Sequence, residues 1–200
     1  MNISSKAKKR FTSLLFILIF ICIGFITEKT GWNFTGKQQL QVLSSKTQSG
    51  QYEVLSIEDG DTIVVNMNGK SERVRFIGVD TPEVKDPRKP VQCFGKKASE
   101  FTKNLINNQS VRLEADPENT NRDRYNRLLR YIYLPNNTLV NAEIIKQGYG
   151  FAYTSFPFTK KSEFKKLENQ AKKNGLGLWG DCQTGKDQNG YNTINPEPNP

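Results

Sequence analysis

The dipeptide Asn68-Gly69 lies between two runs rich in β-branched residues, 62–67 and 73–79, and a third such run precedes them at 52–57. An Asn-Gly pair between alternating apolar runs specifies a tight hairpin, because both residues tolerate the positive φ that a turn of matching twist demands. Three short strands in succession form a β-meander, and this constrains the fold more than any other part of the chain. Further on, Ala98, Phe101, Leu105 and Ile106 recur at helical spacing, followed by strand-like runs at 111–114 and 128–134 with a polar loop between them. Two later helices are expected at about 139–147, stopped by Gly148, and at about 162–173, stopped by Asn174-Gly175. The second turns Phe164, Leu167 and Ala171 inward. Five short strands with about three helices predict an α+β, mainly β fold: a small five-stranded β-barrel of the oligonucleotide-binding (OB-fold) type. The pattern alone leaves other α+β arrangements open.

Residues 11–27 carry no charge, follow Lys6, Lys8, Lys9 and Arg10, and are closed by Glu28 and Lys29. A buried helix would show polar relief on one side, and this run shows none, so it reads as a membrane-targeting segment. Its 17 residues fall between the core of a signal peptide and the ~20 that span a bilayer, which leaves cleaved signal and uncleaved anchor both open. The basic flank holds the N-terminus in the cytoplasm and sends the chain beyond residue 27 across the membrane, so the expected location is extracytoplasmic, anchored or secreted. The chain thus divides into 1–27 (basic n-region and apolar segment), 28–50 (a polar linker), 51–183 (the folded domain) and 184–200 (a tail expected to be disordered).

The net charge is +9, but four of the positive charges stand in the first ten residues and serve targeting. Residues 51–182 carry 21 Lys+Arg and 17 Asp+Glu, a surplus compatible with a polyanionic substrate but insufficient to demonstrate one. There is no histidine, and of three cysteines Cys22 lies in the apolar segment. Cys93 and Cys182 fall in the exported part, where an oxidising compartment favours a disulfide over two unrelated thiols. Without His or a Cys-x-x-Cys motif, an ordinary zinc site and imidazole-based catalysis are excluded.

Two acidic clusters carry the chemistry. Glu58-Asp59-Gly60-Asp61-Thr62 stands at the mouth of the second strand and Asp80-Thr81-Pro82-Glu83 at the end of the third. A meander brings such strand ends together, and paired carboxylates with a backbone carbonyl are what a hard cation such as Ca²⁺ requires. Pro82 biases Thr81 toward an extended conformation that directs its carbonyl. Phosphodiester cleavage also needs cationic donors, best met by the planar fork of arginine. Arg75 lies on the strand leading to Asp80, and Arg127 ends the loop Asp123-Arg124-Tyr125-Asn126-Arg127. Taken singly, each is as readily a surface residue, like Arg73, Arg112, Arg122 or Arg130.

The ordered set Asp59-Gly60-Asp61-Thr62, Arg75, Asp80-Thr81-Pro82-Glu83 and Asp123-Arg124-Tyr125-x-Arg127 leading to Tyr131-Ile132-Tyr133 resembles the staphylococcal nuclease (thermonuclease) family in order and spacing. Val140-Asn141, Gln147-Gly148, Ala152-Tyr153 and Leu178-Trp179 extend the match from about residue 51 to 179. The resemblance implies that Asp61, Asp80 and the carbonyl of Thr81 bind Ca²⁺, and that Glu83 orients or deprotonates the attacking water. It implies that Arg75 and Arg127 clamp the phosphate, and that Tyr125 and Tyr153 line the nucleotide pocket, for which core packing is the alternative. The implied activity is a Ca²⁺-dependent endonuclease acting as a monomer on single-stranded or locally open DNA and RNA and leaving 3′-phosphates. An uncleaved N-terminal segment would add the membrane as a partner. Two departures stand out: Cys93 and Cys182 have no counterpart in the cysteine-free type member, and residues 154–160 align poorly. A nucleic-acid-binding module that has lost its catalytic residues, or a tethered scaffolding barrel, would be expected to lack part of this set, and none is missing.

Overall fold

Asn68 and Gly69 have φ of 55° and 84°, the left-handed pair a two-residue hairpin needs, and pairing resumes at once with Met67 opposite Lys70. In a computed structural model, residues 50–84, 91–190 and 192–196 of the chain are described. The apolar segment expected at 11–27 and nearly all of the linker lie outside them. Among the described residues no helix is long and apolar enough to cross a membrane.

The meander consists of β1 (Gln51–Asp59), β2 (Thr62–Met67) and β3 (Lys70–Phe76). It is followed by a short β4 (Val79–Asp80) and then by α1 (Gly95–Ile106), β5 (Val111–Glu114) and β6 (Leu128–Tyr133). Next come α2 (Val140–Lys146), β7 (Phe151–Ala152), α3 (Lys161–Lys173) and the single turn α4 (Leu178–Asp181). Strands close in the order β1-β2-β3-β6-β5 into a barrel, the five-stranded OB-type architecture expected. β3 and β6 are parallel and the other barrel pairs antiparallel. β1 carries two register shifts against β2, between Val54 and Ser56 and between Ile57 and Asp59. Such irregularities bend a strand, and they let β1 pair with β2 along most of its length while Gln51 and Tyr52 pair with β5.

Alternation along the strands fills the barrel: Ile63 and Val65 on β2, and Val74 and Phe76 on β3, are buried, while the intervening Arg73 and Arg75 face outward. The strand expected at 73–79 is displaced. It begins at Lys70 because the tight turn leaves no unpaired residue, and it breaks after Phe76 at Ile77-Gly78. Gly78 has φ +72°, and a Cβ there would lie 2.7 Å from the Phe158 ring and 2.8 Å from that of Phe164, so the break also lets the aromatic layer approach. β4 then leaves the barrel to pair with β7. Asn141 closes this corner: its Oδ1 accepts from Ile132 N (2.9 Å) and its Nδ2 donates to Ile77 O (2.9 Å) and Arg130 O (3.3 Å).

The tail from Thr184, expected to be disordered, instead forms a hairpin of β8 (Thr184–Lys186) and β9 (Asn192–Ile194). It lacks a core of its own. Its anchors are Ile194, packed against the cluster of Phe94, Phe151 and Leu178, and the hydrogen bonds from Cys93 N to Asn195 O (2.9 Å) and from Gln183 N to the Asn195 side chain (2.8 Å), next to a disulfide joining Cys93 to Cys182.

Asp116, on the loop between β5 and β6, fastens the start of α3 to the barrel. Its carboxylate accepts from Tyr131 Oη (2.6 Å), Thr159 N (2.8 Å), Thr159 Oγ1 (2.6 Å) and Glu118 N (2.8 Å). Burial alone would raise this carboxyl, but the hydrogen bonds from Thr159 and Tyr131 outweigh it and hold it below the usual range. Asp116→Ala strands these donors and is expected to cost about 2–3 kcal/mol near neutral pH. Because the folded pKa is depressed, the stabilisation is present above the unfolded value of ~3.9 and lost as pH falls through the folded one. Urea melts from pH 7 down to pH 3 should show the gap between parent and variant closing as pH falls; a gap constant with pH would contradict the assignment.

Candidate active site

Gly60 brings the two acidic segments into contact. A Cβ on it would lie 2.8 Å from Thr81 Cγ2 and 2.9 Å from Thr81 Cβ, so only glycine allows the β1–β2 turn to press against the β4 segment. The turn is held from behind by Thr102 on α1, whose Oγ1 donates to Gly60 O at 2.7 Å. Asp61 is thereby buried, at 4% exposure, with Oδ2 accepting from Thr81 N (2.8 Å) and Thr81 Oγ1 (3.1 Å) and Oδ1 accepting from Thr62 Oγ1 (3.1 Å).

Arg75 stands on β3 directly opposite Thr62. Its Nη1 lies 2.6 Å from Asp61 Oδ2 and donates to Val79 O (2.8 Å), while its Nη2 donates to Asp80 Oδ1 (3.1 Å). Burial works against the charge of Arg75, yet Asp61, Asp80 and Asp59 outweigh it and hold its pKa above the ordinary value. The carboxylates are under more strain than the arginine can relieve. Asp59 is pushed up to about 7, first by burial and then by the charge of Asp61. Asp80 is pushed up to about 6 by burial and by the charges of Asp61 and Glu83, with Arg75 opposing. Its side chain is still 38% exposed, so this desolvation comes from crowded protein neighbours rather than from complete enclosure.

The remaining residues surround this cluster. Glu83 follows β4; its Oε1 accepts from Val84 N (3.0 Å), and its backbone is tied to Gln92 by Glu83 N to Gln92 Oε1 (2.7 Å) and Gln92 N to Glu83 O (3.0 Å). Arg127 reaches the edge of the cluster, with Nη1 3.5 Å from Thr62 Oγ1. Its guanidinium is oriented by Asp123, through Nε to Oδ2 (2.7 Å) and Nη2 to the same oxygen (2.7 Å). Tyr125 is 60% exposed with its ring beside Arg124 (4.8 Å) and Arg127 (5.3 Å). It is therefore available for contact with a ligand rather than packed in the core. Tyr153 lies near enough to Arg75 to interact with its charge, is fixed by Tyr153 N donating to Gly78 O (2.9 Å), and tilts against Phe156 at 5.8 Å.

The structure thus unites Asp61, Asp80, Thr81 and Arg75 in one cluster with Glu83, Arg127, Tyr125 and Tyr153 around it. Cys93 and Cys182 sit apart, between the start of α1 and the end of α4. Among the described residues no three or more Asp, Glu, His or Cys side chains form a ready-made metal cage. Sequence reasoning assigned no role to Asp59, Asp123 or Thr102. The four-residue spacing of Asp123 and Arg127 in a polar turn was the available signal for one of them, whereas Thr102 acts across 42 residues and leaves no local trace.

Comparison with known proteins agrees with this geometry. Residues 73–181 match the family described as staphylococcal nuclease homologue. The chain is 37% identical over 176 residues to a thermonuclease of Staphylococcus hyicus, covering 86% of this chain and 98% of that one. It is 40% identical over 137 residues to a thermonuclease of Staphylococcus intermedius, covering 68% and 80%. It is 42% identical over 123 residues to the endonuclease YncB of Bacillus subtilis, covering 60% and 57%. With Arg75, Asp80, Glu83 and Arg127 inside the matched region and thermonucleases 37–40% identical over two thirds or more of the chain, the chain belongs to the staphylococcal nuclease homologue family.

Proposed function

We propose that this nuclease is a calcium-dependent endonuclease that hydrolyses DNA and RNA strands to products ending in 3′-phosphate. The observation that carries the reading is the charge imbalance at the β2–β4 edge. Asp59, Asp61 and Asp80 share one buried guanidinium, and two of them are pushed up to about 7 and about 6. Excess negative charge of this kind suits a divalent cation, and the available donors, two carboxylates and the Thr81 carbonyl, are all oxygen. Two protein carboxylates leave room for waters and a phosphate oxygen, so a closed cage is not needed. Calcium held by Asp61, Asp80 and Thr81 would supply positive charge where the phosphate and its attacking water acquire negative charge.

The chain's own residues account for the rest. Glu83, with one carboxylate oxygen engaged by Val84 N, orients the water and takes its proton. The water oxygen bonds to phosphorus as the bond to the 5′-oxygen on the far side breaks, so the phosphate stays on the 3′-side and a 5′-hydroxyl leaves. Arg75 and Arg127 donate to the non-bridging oxygens, whose charge grows in the transition state. Asp123 keeps Arg127 aimed. Tyr125 and Tyr153 offer aromatic faces to bases, each stack contributing about 1–3 kcal/mol whatever the sequence, which favours single-stranded or locally open substrates. An extracytoplasmic location, reached through residues 1–27, goes with this reading.

Purified protein should degrade single-stranded DNA in millimolar Ca²⁺, lose activity in EGTA and recover it on calcium addition. Mg²⁺ should support little turnover, since its strict octahedral geometry and tightly held waters suit this donor set badly. Full activity in EGTA would remove calcium from the proposal, and 5′-phosphate ends on the products would reverse the assignment of the leaving oxygen.

A further inference from the structure

Residues 51–182 carry 21 Lys+Arg against 17 Asp+Glu, and the segment 160–173 alone holds six lysines against two glutamates. The rest of the domain is therefore neutral, with 15 charges of each sign. All of its positive surplus sits on α3 and the residue before it. One of the two glutamates, Glu168, is buried and turned inward, accepting from Ala152 N (3.2 Å) and pairing with Lys172 (3.2 Å). Ser162, Lys165, Lys166, Asn169, Gln170 and Lys173 line a shallow, open depression of about 470 Å³ along the outer face. Lys165, Lys166 and Lys173 are exposed and have no ion pair with any described residue.

We propose that this outer face of α3 is a second docking surface for the phosphodiester backbone of the substrate, separate from the catalytic cluster. This rests on the nuclease reading above and extends it to how a long strand is held. Lysines spaced along one helical face match a row of phosphates. The hydroxyl of Ser162 and the side-chain amides of Asn169 and Gln170 are groups that commonly donate to phosphate and sugar oxygens without reading sequence. An anionic membrane is the other polyanion of this scale, and the composition of the face argues against it. A helix lying in a bilayer interface buries apolar residues on its contacting side, whereas Phe164, Leu167 and Ala171 all pack inward in α3. The body of the helix, about 10–12 Å across, stands between β7 and the outer lysines. A strand on this surface is thus outside the reach of the reacting nucleotide and contributes affinity, not chemistry.

The test compares the full chain with its Lys165→Gln/Lys166→Gln/Lys173→Gln variant, and with the corresponding triple arginine variant, on long single-stranded DNA and on a dinucleotide. The glutamine variant should raise KM for long DNA about 10-fold at physiological salt and reduce the slope of log KM against log salt by about 2, three single-strand phosphate contacts at ~0.7 each. It should leave kcat on both substrates and KM for the dinucleotide unchanged, and the arginine variant should behave as the parent. Unchanged KM and salt slope on long DNA would overturn the docking surface while leaving the nuclease reading intact. A parent inactive on both substrates would instead overturn that reading. If the glutamine variant lost binding only to phosphatidylserine vesicles, with DNA kinetics as in the parent, the face would be a membrane contact and the inference wrong.

Discussion

Arg127→Ala is expected to lower kcat on single-stranded DNA by about 10²–10³, the ~2.7–4 kcal/mol typical of losing one fixed donor to a charged transition state. Arg75→Ala should do at least as much. The two differ in what else they disturb. Arg127 is 19% exposed and, among the described residues, ion-paired with Asp123 alone, so its removal leaves the barrel intact. Arg75 is packed between Asp61 and Asp80, and its loss strands two carboxylates in a crowded site, a change that costs about 3–5 kcal/mol when a buried pair is broken. Calcium should restore part of that stability by neutralising the same carboxylates. Lysine at either position should rescue incompletely, because a point-like ammonium cannot span two oxygens as Arg75 spans Asp61 and Asp80. Asp123→Asn leaves one acceptor oxygen where two are used, by the backbone N–H groups of Tyr125 and Arg127 and by the Arg127 guanidinium, so one set of donors faces an NH2 group; kcat should fall roughly 10-fold, as expected for slight misplacement of the guanidinium. Arg112, which pairs with Glu114 and lies over the Tyr133 ring, is the control: Arg112→Ala should leave kcat near the parental value. Steady-state kinetics with circular dichroism melts on each variant would separate these outcomes. Near-parental kcat in folded Arg75→Ala and Arg127→Ala proteins would refute the phosphate clamp.

The parts of this molecule governed by short-range rules were visible in its sequence. Asn68-Gly69 placed the hairpin, and the spacing of Phe164, Leu167 and Ala171 placed the inner face of α3. Where long-range contact decided, the sequence was silent. The break at Gly78 depends on Phe158 and Phe164, some 80 residues on, and β7 is a strand only because β4 leaves the barrel to meet it. The hairpin after Thr184 has few apolar residues, so composition argued for disorder; its order comes from Asn195, its attachment beside Cys93 and the packing of Ile194 against Phe94, Phe151 and Leu178. In the site, residue types and spacing pointed to the acidic and basic groups, and the resemblance supplied their roles. Neither indicated that Gly60 is required by the side chain of Thr81 or that Thr102 holds the turn from behind.

Removing the Cys93–Cys182 bond should be the most damaging change outside the catalytic cluster. The bond spans a sequence separation of 89, and closing a loop of that length restricts the unfolded chain enough to stabilise the fold by about 4.6 kcal/mol in the loop-entropy model, with ~2–4 typical of measured bridges. Local structure adds to this. Cys93 lies just before α1 and holds Asn195 of the hairpin through its backbone, while Cys182 ends α4, where Leu178 is fully buried and Asp181 pairs with Lys97 (3.0 Å). Cutting the bridge therefore frees α4, β8 and β9 from the start of α1, whereas the barrel retains its own hydrogen bonds. Cys93→Ser/Cys182→Ser should shift the guanidinium unfolding midpoint by an amount equivalent to about 2–4 kcal/mol, and dithiothreitol should shift the parent equally and leave the variant unmoved. Hydrogen exchange should quicken in residues 178–196 more than in β2 and β3. Of the residues proposed to act in catalysis, Asp61 and Arg75 stand at the barrel, Arg127 just before β6 and Asp80 on β4, and Glu83 is held to Gln92 by hydrogen bonds of its own, so kcat at 25 °C should hold even as the protein loses resistance to heat. Equal midpoints for parent and variant, or a dithiothreitol effect that persists without both cysteines, would show that the bridge contributes nothing to the stability of the fold.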